Sequence, residues 1–247
     1  MVTLRIEPSV TVITPSIANP YLVQAIESVT NQTYNNVKHL VVADGREYFQ
    51  KILNLPIVIQ DGNNLTITSV PFNTGGNGQN GQRIYAAFAH LINTDYICFL
   101  DEDNWLDKDH VASLVDLCVS GNHAFTHSLR KVYVKDKYLA DDCCEAIGRW
   151  PIAWSDGTQH LVDTSAYCFK TDFLKQVSYL WNSGGWGEDR RFFMALKDKV
   201  SYGTTGLHTL NYRLPNMELA YGGDYDIFEK GNEIIRNQHE GKYPWQK

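Results

Sequence analysis

Asp101-Glu102-Asp103 follows the apolar run Tyr96-Ile97-Cys98-Phe99-Leu100. An extended backbone sends residues i and i+2 to the same side, so Asp101 and Asp103 converge where that run ends. Two carboxylates forced together repel unless a divalent cation sits beside them. Hard oxygen ligands suit Mg2+ or Mn2+, which keep coordination positions open for phosphate oxygens. The competing use of the same acids is to cap the next helix, which Asp103 or Asp107 could do alone. A second group is the Gly/Asn-rich stretch 73–81 with Arg83 behind it. Glycines let the backbone approach a polyanion, and an Arg at a helix start can pair with phosphate. An ordinary surface loop has the same composition. The stretch fits neither GxGxxG nor GxxxxGK[ST], which disfavours a Rossmann dehydrogenase and a P-loop NTPase. A third group is Gly187-Glu188-Asp189, where a first-turn carboxylate either steadies a helix N-terminus or serves as a general base. His208, inside a strand pattern, is a satisfied core or surface residue unless the fold returns it to Asp103 as a metal ligand. The other histidines form no HExxH pair, and there is no GxSxG or evident Cys–His nucleophile.

The elements that must position these groups alternate. Residues 10–14 form a β-branched run stopped by Pro15, and 22–29 follow with Leu22, Ile26 and Val29 on one helical face. Residues 38–43 predict a strand ending at Asp44-Gly45, and either 57–59 or 65–70 predicts the next. A helix over 82–91 and a strand over 96–100 complete the first half. Strands apolar on both faces, alternating with helices, predict a mainly parallel sheet covered by helices. Such sheets bind ligands at their carboxyl ends, where Thr14-Pro15, Asp44 and Asp101-Glu102-Asp103 fall. Beyond Asp107 the spacing predicts a helix around 111–118, strand-like segments over 125–134 and 161–170, a helix over 190–196 opened by Glu188-Asp189, and a strand over 201–210. The expected organisation is one domain of two halves, 1–110 and 111–215, with a polar tail over 216–247.

Lys and Arg total 22 against 28 Asp and Glu, a net charge of −6, which is the wrong sign for a nucleic-acid coat. At 43% hydrophobic and 20% charged, the chain can build an ordinary core. The aromatic content of 12%, with 14 Tyr and 6 Trp, supplies rings that stack on sugars or fill cores. Five cysteines, an odd number without zinc-ligand spacing, favour a reducing compartment, and a cytoplasmic location is expected. No signal pattern or membrane-length apolar stretch is visible in the sequence, although peripheral membrane contact stays open.

Taken in order, these features resemble the inverting glycosyltransferases of family 2, which have a GT-A fold. Val10-Thr11-Val12-Ile13-Thr14-Pro15-Ser16, with the helix that follows and Asn31-Gln32-Thr33-Tyr34, is similar to that family's first strand and helix. Leu40-Val41-Val42-Ala43-Asp44-Gly45 resembles its second strand, 73–83 the segment before its diphosphate-facing helix, and Phe99-Leu100-Asp101-Glu102-Asp103 its Asp-x-Asp metal motif. Val162-Asp163-Thr164-Ser165-Ala166 with Phe169-Lys170 resembles its acceptor-side strand, and Gly187-Glu188-Asp189 its Glu-Asp base motif. The likeness spans about residues 9–212. It implies an α/β, Rossmann-like, mainly parallel central sheet flanked by helices, with a smaller acceptor-side sheet. It also implies that Thr14, Pro15 and Asp44 hold nucleobase and ribose, and that Arg83 lies near the diphosphate. Asp101 would meet ribose or sugar hydroxyls or the metal, and Asp103 would bind Mn2+ or Mg2+. Asp189 would be the base with Glu188 beside it, and His208 would match a third metal ligand. Trp150, Trp154 and Trp186 would be sugar platforms or packing residues.

The implied reaction moves one sugar from a nucleoside-diphosphate sugar, UDP by resemblance, to a hydroxyl of a glycan, lipid or protein. Two departures stand out: the bulky central Glu102, and the missing Gln-x-x-Arg-Trp signature and transmembrane segment. The missing signature argues against a processive polysaccharide synthase. The competing functions are a GT-A-fold nucleotidyltransferase, whose Gly-rich basic signature is not offered by Thr14-Pro15-Ser16-Ile17, and a non-catalytic carbohydrate-binding protein with a decayed site.

Overall fold

The computed structural model describes residues 7–57, 64–76, 78–182, 184–185 and 187–246. Among the described residues the α-helices and β-strands run in the order β1 (Val10–Ser16), α1 (Leu22–Thr30), β2 (Val37–Ala43), α2 (Arg46–Leu53), β3 (Leu65–Ser69), α3 (Gln82–Phe88), β4 (Tyr96–Phe99), β5 (Trp105–Leu106), α4 (His110–Ser120), β6 (Phe125–Val134), β7 (Lys137–Asp142), β8 (Tyr167–Lys170), α5 (Thr171–Val177), α6 (Glu188–Leu196), β9 (Tyr202–Leu214), α7 (Met217–Tyr221) and α8 (Ile227–Gln238).

The strands form a single sheet in the order β3-β2-β1-β4-β8-β6-β9-β5, with β7 hydrogen-bonded to β6. Strands β1 to β4 are parallel, with Val10 opposite both Val37 and Tyr96. Every residue of β1 is buried, as expected of a central strand covered on both faces. The change of direction comes at β8, antiparallel to β4 (Cys98 opposite Cys168) and to β6. The expected smaller sheet is therefore the continuation of the first one. Long β9 runs parallel to β6, shifts register beside His127 and Leu129, and pairs its far end antiparallel with β5, Trp105 opposite Asn211. Its end thus reaches the residues just after Asp101–Asp103.

Beneath the sheet lies an aromatic core in which Tyr85 stacks on Phe99 at 4.1 Å and Trp181 on Phe192 at 4.4 Å. Each fully buried large apolar side chain there contributes about 1.5–3 kcal/mol. A second core unites Leu129, Val132, Cys144, Ile147 and Leu214 with Met217, Phe228 and Ile235. The segment read as a polar tail is therefore a packed part of the molecule, with α8 burying Phe228, Gly231 and Ile235. All five cysteines are buried thiols. Among the described residues no helix is long and apolar enough to cross a membrane.

The alternation-based strands 10–14, 38–43, 65–70 and 96–100 correspond to β1 to β4. The rival strand 57–59 falls mostly outside the described residues. Of the strand-like stretch 161–170 only Tyr167–Lys170 is β, because Asp163 caps a 3-10 turn over Thr164–Ala166 by accepting from the Ser165 amide.

Candidate active site

A cleft of about 570 Å³ opens at the carboxyl ends of β1, β2 and β4, a volume suited to a small organic ligand. Asp101 sits in its floor. The Tyr85 hydroxyl donates to Asp101 Oδ1 at 2.8 Å, and Ser165 Oγ donates to Oδ2 at 3.2 Å while accepting from the Asp101 amide. Burial, then the Asp103 and Asp163 charges, push the Asp101 carboxyl up to about 7. Burial and the Glu102 charge raise Asp103 to about 6. No other residue's donor reaches the Asp103 carboxylate among the described residues, and it does not cap α4. The α4 N-cap is Asp109, whose carboxylate instead accepts from the Thr33 hydroxyl. Two half-buried acids that resist ionisation together form a place where a divalent cation would be stabilising. No cluster of three or more His, Cys, Asp or Glu suited to a metal occurs among the described residues. Two carboxylates are a donor set that Mg2+ or Mn2+ could use, completing the shell with water and phosphate.

Glu102, also on the cleft wall, is tied down by neighbours. Its carboxylate accepts from Ser16 Oγ at 2.5 Å and from the amides of Ile17 and Asn19, tying the β1–α1 loop to the end of β4. A residue as long as Glu is thus explained at the centre of the triplet. Across the cleft Asp44 accepts from the Thr74 amide and hydroxyl and the Gly75 amide, at 2.7–2.8 Å. A Cβ on Gly75 would lie 2.8 Å from Asp44 Oδ2, so only glycine allows this approach. A Cβ on Gly81 would lie 2.7 Å from Pro15 Cγ, so the start of α3 rests directly on Pro15. Pro15 and Asp44 line the cleft. Thr14 does not: its hydroxyl points into the sheet, 2.9 Å from His39 Nε2. Burial lowers His39 to about 3, leaving it neutral.

The opposite end is set by α6, which opens at Gly187 in a left-handed conformation (φ +81°) and presents Glu188 and Asp189 to the cleft. Burial and the Asp163 charge raise Asp189 to about 6, although it accepts from the Arg190 amide at 2.7 Å. Glu188 is buried and paired with Arg191 at 2.6 Å. Behind them Arg130 holds Asp142, Asp163 and Glu145 at 2.8, 2.8 and 2.5 Å, and the Tyr221 hydroxyl donates to Glu145 at 2.6 Å. Through Tyr221, α7 becomes part of the cleft wall. The motif Gly-Glu-Asp was visible in the sequence, but nothing in residue spacing pointed to this cluster.

Two further expected contacts are corrected. His208 is not beside Asp103: in β9 it lies opposite Leu129, 3.3 Å from Cys143 Sγ, facing Trp245. The residue of β9 that meets the acidic turn is Arg213, five positions on. Its guanidinium donates to the Asp103 carbonyl, to Lys135 O and to Gln24 Oε1, pairs with Asp136, and lies between the Tyr21 and Trp105 rings at 3.7 and 4.6 Å. Arg83 is exposed, donates to the Thr74 carbonyl at 3.3 Å, and is not on the cleft wall. Trp150 packs on Trp245, 5.3 Å between ring centres, and Trp154 lies against Gly231 of α8, both away from the cleft. Trp186 falls outside the described residues.

Comparison with known proteins places the fold. The profile named Glycosyl transferase family 2 matches residues 11–140. Glycosyltransferase GlyA of Streptococcus pneumoniae serotype 4 (strain ATCC BAA-334 / TIGR4) is 26% identical over 144 residues, 51% of this chain but 18% of that protein. The chain therefore spans under a fifth of that relative. The crystal structure of S. aureus TarS 1-349 superposes with a TM-score of 0.60 at 14% identity, covering 83% of this chain and 60% of that one. The same protein in complex with UDP-GlcNAc gives a TM-score of 0.59 at 14% identity, covering 93% and 65%. These likenesses establish a GT-A-like fold. With its profile matching more than half of the residues, the chain belongs to glycosyl transferase family 2.

Proposed function

We propose that this protein transfers a single sugar from a nucleoside-diphosphate sugar to an acceptor hydroxyl, inverting the anomeric carbon, with Mn2+ or Mg2+ as cofactor. The observation that carries this reading is the meeting of Asp101 and Asp103 from the end of β4 with Asp189 from the start of α6 in one cleft, all three held between about 6 and 7. UDP is favoured as the carrier because a protein of the same fold is known in complex with UDP-GlcNAc.

In this reading Pro15 and Asp44 border the nucleobase and ribose. Asp103, with Asp101, would hold the cation, which when bound supplies positive charge to the departing diphosphate. Asp189 takes the proton from the acceptor oxygen as that oxygen attacks the anomeric carbon. The new carbon–oxygen bond forms as the bond to the phosphate oxygen breaks, and the electron pair leaves on the nucleoside diphosphate. With Asp189 acting only as a base and no carboxylate attacking the sugar, the displacement is single and inverts the centre. Tyr85 and Ser165 hold Asp101 in place throughout. The Arg130 cluster and Tyr221 wall the acceptor end, so the acceptor enters between α6 and α7.

A thermal-shift panel of UDP, dTDP and GDP, each with and without Mn2+, tests the reading. Binding stabilises the native state by RT ln(1 + [L]/Kd), about 2.7 kcal/mol at 100 times Kd. A Mn2+-dependent shift with one of the three supports the function and names the base. No shift with any of them overturns it.

A further inference from the structure

We propose that Arg190 binds the β-phosphate of the donor, the part of the ligand for which the sequence nominates Arg83, with Gln82 accepting from a hydroxyl of the same ligand; the inference rests on the nucleotide-sugar reading above. Three arginines line the cleft. Arg130 is engaged by three carboxylates. Arg213 is engaged by the Asp103 and Lys135 carbonyls, Gln24 and Asp136, with a ring on each side. Arg190 differs from both. Among the described residues no hydrogen bond or ion pair reaches its guanidinium, and its Nε is buried without a partner. Buried donors in native proteins are nearly always paired, so an orphan on a cleft wall points to a group supplied by a ligand.

A second orphan lines the same cleft. Gln82 is 9% exposed and lines the cleft, its Nε2 donating to the Gly185 carbonyl at 3.4 Å while its Oε1 has no partner. That bond ties the first turn of α3 to the segment leading into α6. The two unpartnered polar groups therefore belong to elements that meet, and a ligand carrying an anionic oxygen for Arg190 and a hydroxyl for Gln82 Oε1, as a nucleotide sugar does, would complete both. The rest of the wall is acidic, with Asp101, Glu102, Asp103, Glu188 and Asp189, so a diphosphate entering the cleft needs cationic contacts. A guanidinium offers a planar fork that matches two phosphate oxygens.

The position selects the β-phosphate rather than the α. Arg190 follows Asp189 in the first turn of α6, and Asp189 reads as the base at the anomeric carbon. In a nucleotide sugar the β-phosphate is bonded directly to that carbon. Arg83 offers no equivalent, being exposed, bonded to the Thr74 carbonyl and off the cleft wall.

Calorimetric titration of the full chain with UDP and UMP in Mn2+ tests this. Arg190→Ala should lower UDP affinity about tenfold or more and UMP affinity less than about threefold, collapsing the preference for the diphosphate. Arg190→Lys, which keeps charge without the fork, should fall between, and Arg83→Ala should stay within about twofold of the parent for UDP. An unchanged UDP affinity in Arg190→Ala overturns the proposal. So does an equal loss for UDP and UMP, which would mean general damage to the cleft, or a loss confined to Arg83→Ala. If Arg190→Ala fails to fold, the UDP-to-UMP ratio in Arg190→Lys decides, an unchanged ratio counting against. A parent protein that binds none of UDP, GDP and dTDP overturns both this inference and the proposed function. A parent that binds UDP, with Arg190→Ala binding it equally well, overturns this inference alone.

Discussion

A carboxylate accepts a proton usefully near neutral pH only if its environment lifts its affinity for one without leaving it protonated. Asp189, held at about 6 by burial and by Asp163, meets that condition. The prediction is a kcat/KM that rises through pH 6 and levels above it, and an Asp189→Asn variant with kcat down about 10²- to 10⁴-fold and Mn2+–UDP affinity nearly unchanged. A flat profile from pH 5 to 7, or normal turnover by the variant, would move the base elsewhere. Asp101 allows a test on stability instead. Its carboxyl titrates near 7 in the native state against 3.8 as a reference value, so the folded chain holds this proton more tightly. That preference contributes stability below about pH 4, and the contribution is lost as the pH climbs to 7. In metal-free buffer, Asp101→Asn should therefore be more stable than the parent by about 1–3 kcal/mol at pH 7.5 and equal to it near pH 4, as read by urea unfolding. The buried histidines His39, His110 and His127, lowered to about 3–4, titrate alike in both proteins and drop out of the difference. Equal stability at both pH values would show that Asp101 is ionised at little cost.

Strand β9 shows what one element contributes and why part of it was hidden. The apolar pattern predicts a strand over 201–210, yet β9 continues through Asn211, Tyr212 and Arg213. Those residues read as polar and exposed, but their polar atoms are bonded: Asn211 to Asp107 and Trp105, and Arg213 to the acidic turn and α1. Hydrophobic periodicity cannot announce a strand whose buried residues are polar and paired. For the same reason the sequence pointed to His208, which has the right chemistry, and passed over Arg213, which has the right register. The Asp-x-Asp and Glu-Asp motifs were legible because each is local to one strand end or helix start. The Arg130 cluster joins β6, β7 and two later turns, and no spacing along the chain encodes that meeting. Arg213→Ala leaves the Asp103 turn, α1 and the β6–β7 hairpin without their common partner. It should destabilise the protein by about 2–4 kcal/mol and weaken Mn2+–UDP binding. Arg213→Lys should recover part of the stability, since one ammonium cannot reach every partner of the fork. A wild-type melting temperature in Arg213→Ala would show that the turn is held by other means.

At the scale of the molecule the two expected halves are not separable bodies. Strand β4 has β1 on one side and β8 on the other, and β8 begins at Tyr167, far along the chain from Phe99. A fragment of residues 1–110 would leave the apolar edge of β4 unpaired and the Phe99 ring without Phe169 and Trp181. Such a fragment should be insoluble or bind the dye ANS strongly, whereas a monomeric, cooperatively melting fragment would contradict a single sheet-wide unit. The order of strands in space also has a consequence in time. A ribosome adds about 5–20 residues per second, so roughly ten seconds pass between the emergence of β4 and that of the end of β9. Through that interval the nascent chain carries an unsatisfied sheet edge, and no nucleotide can shield it because the far wall of the cleft has not been synthesised. The yield of folded protein in a cell should therefore depend on how fast the codons between residues 100 and 214 are read, and on whether a holdase chaperone covers that edge meanwhile.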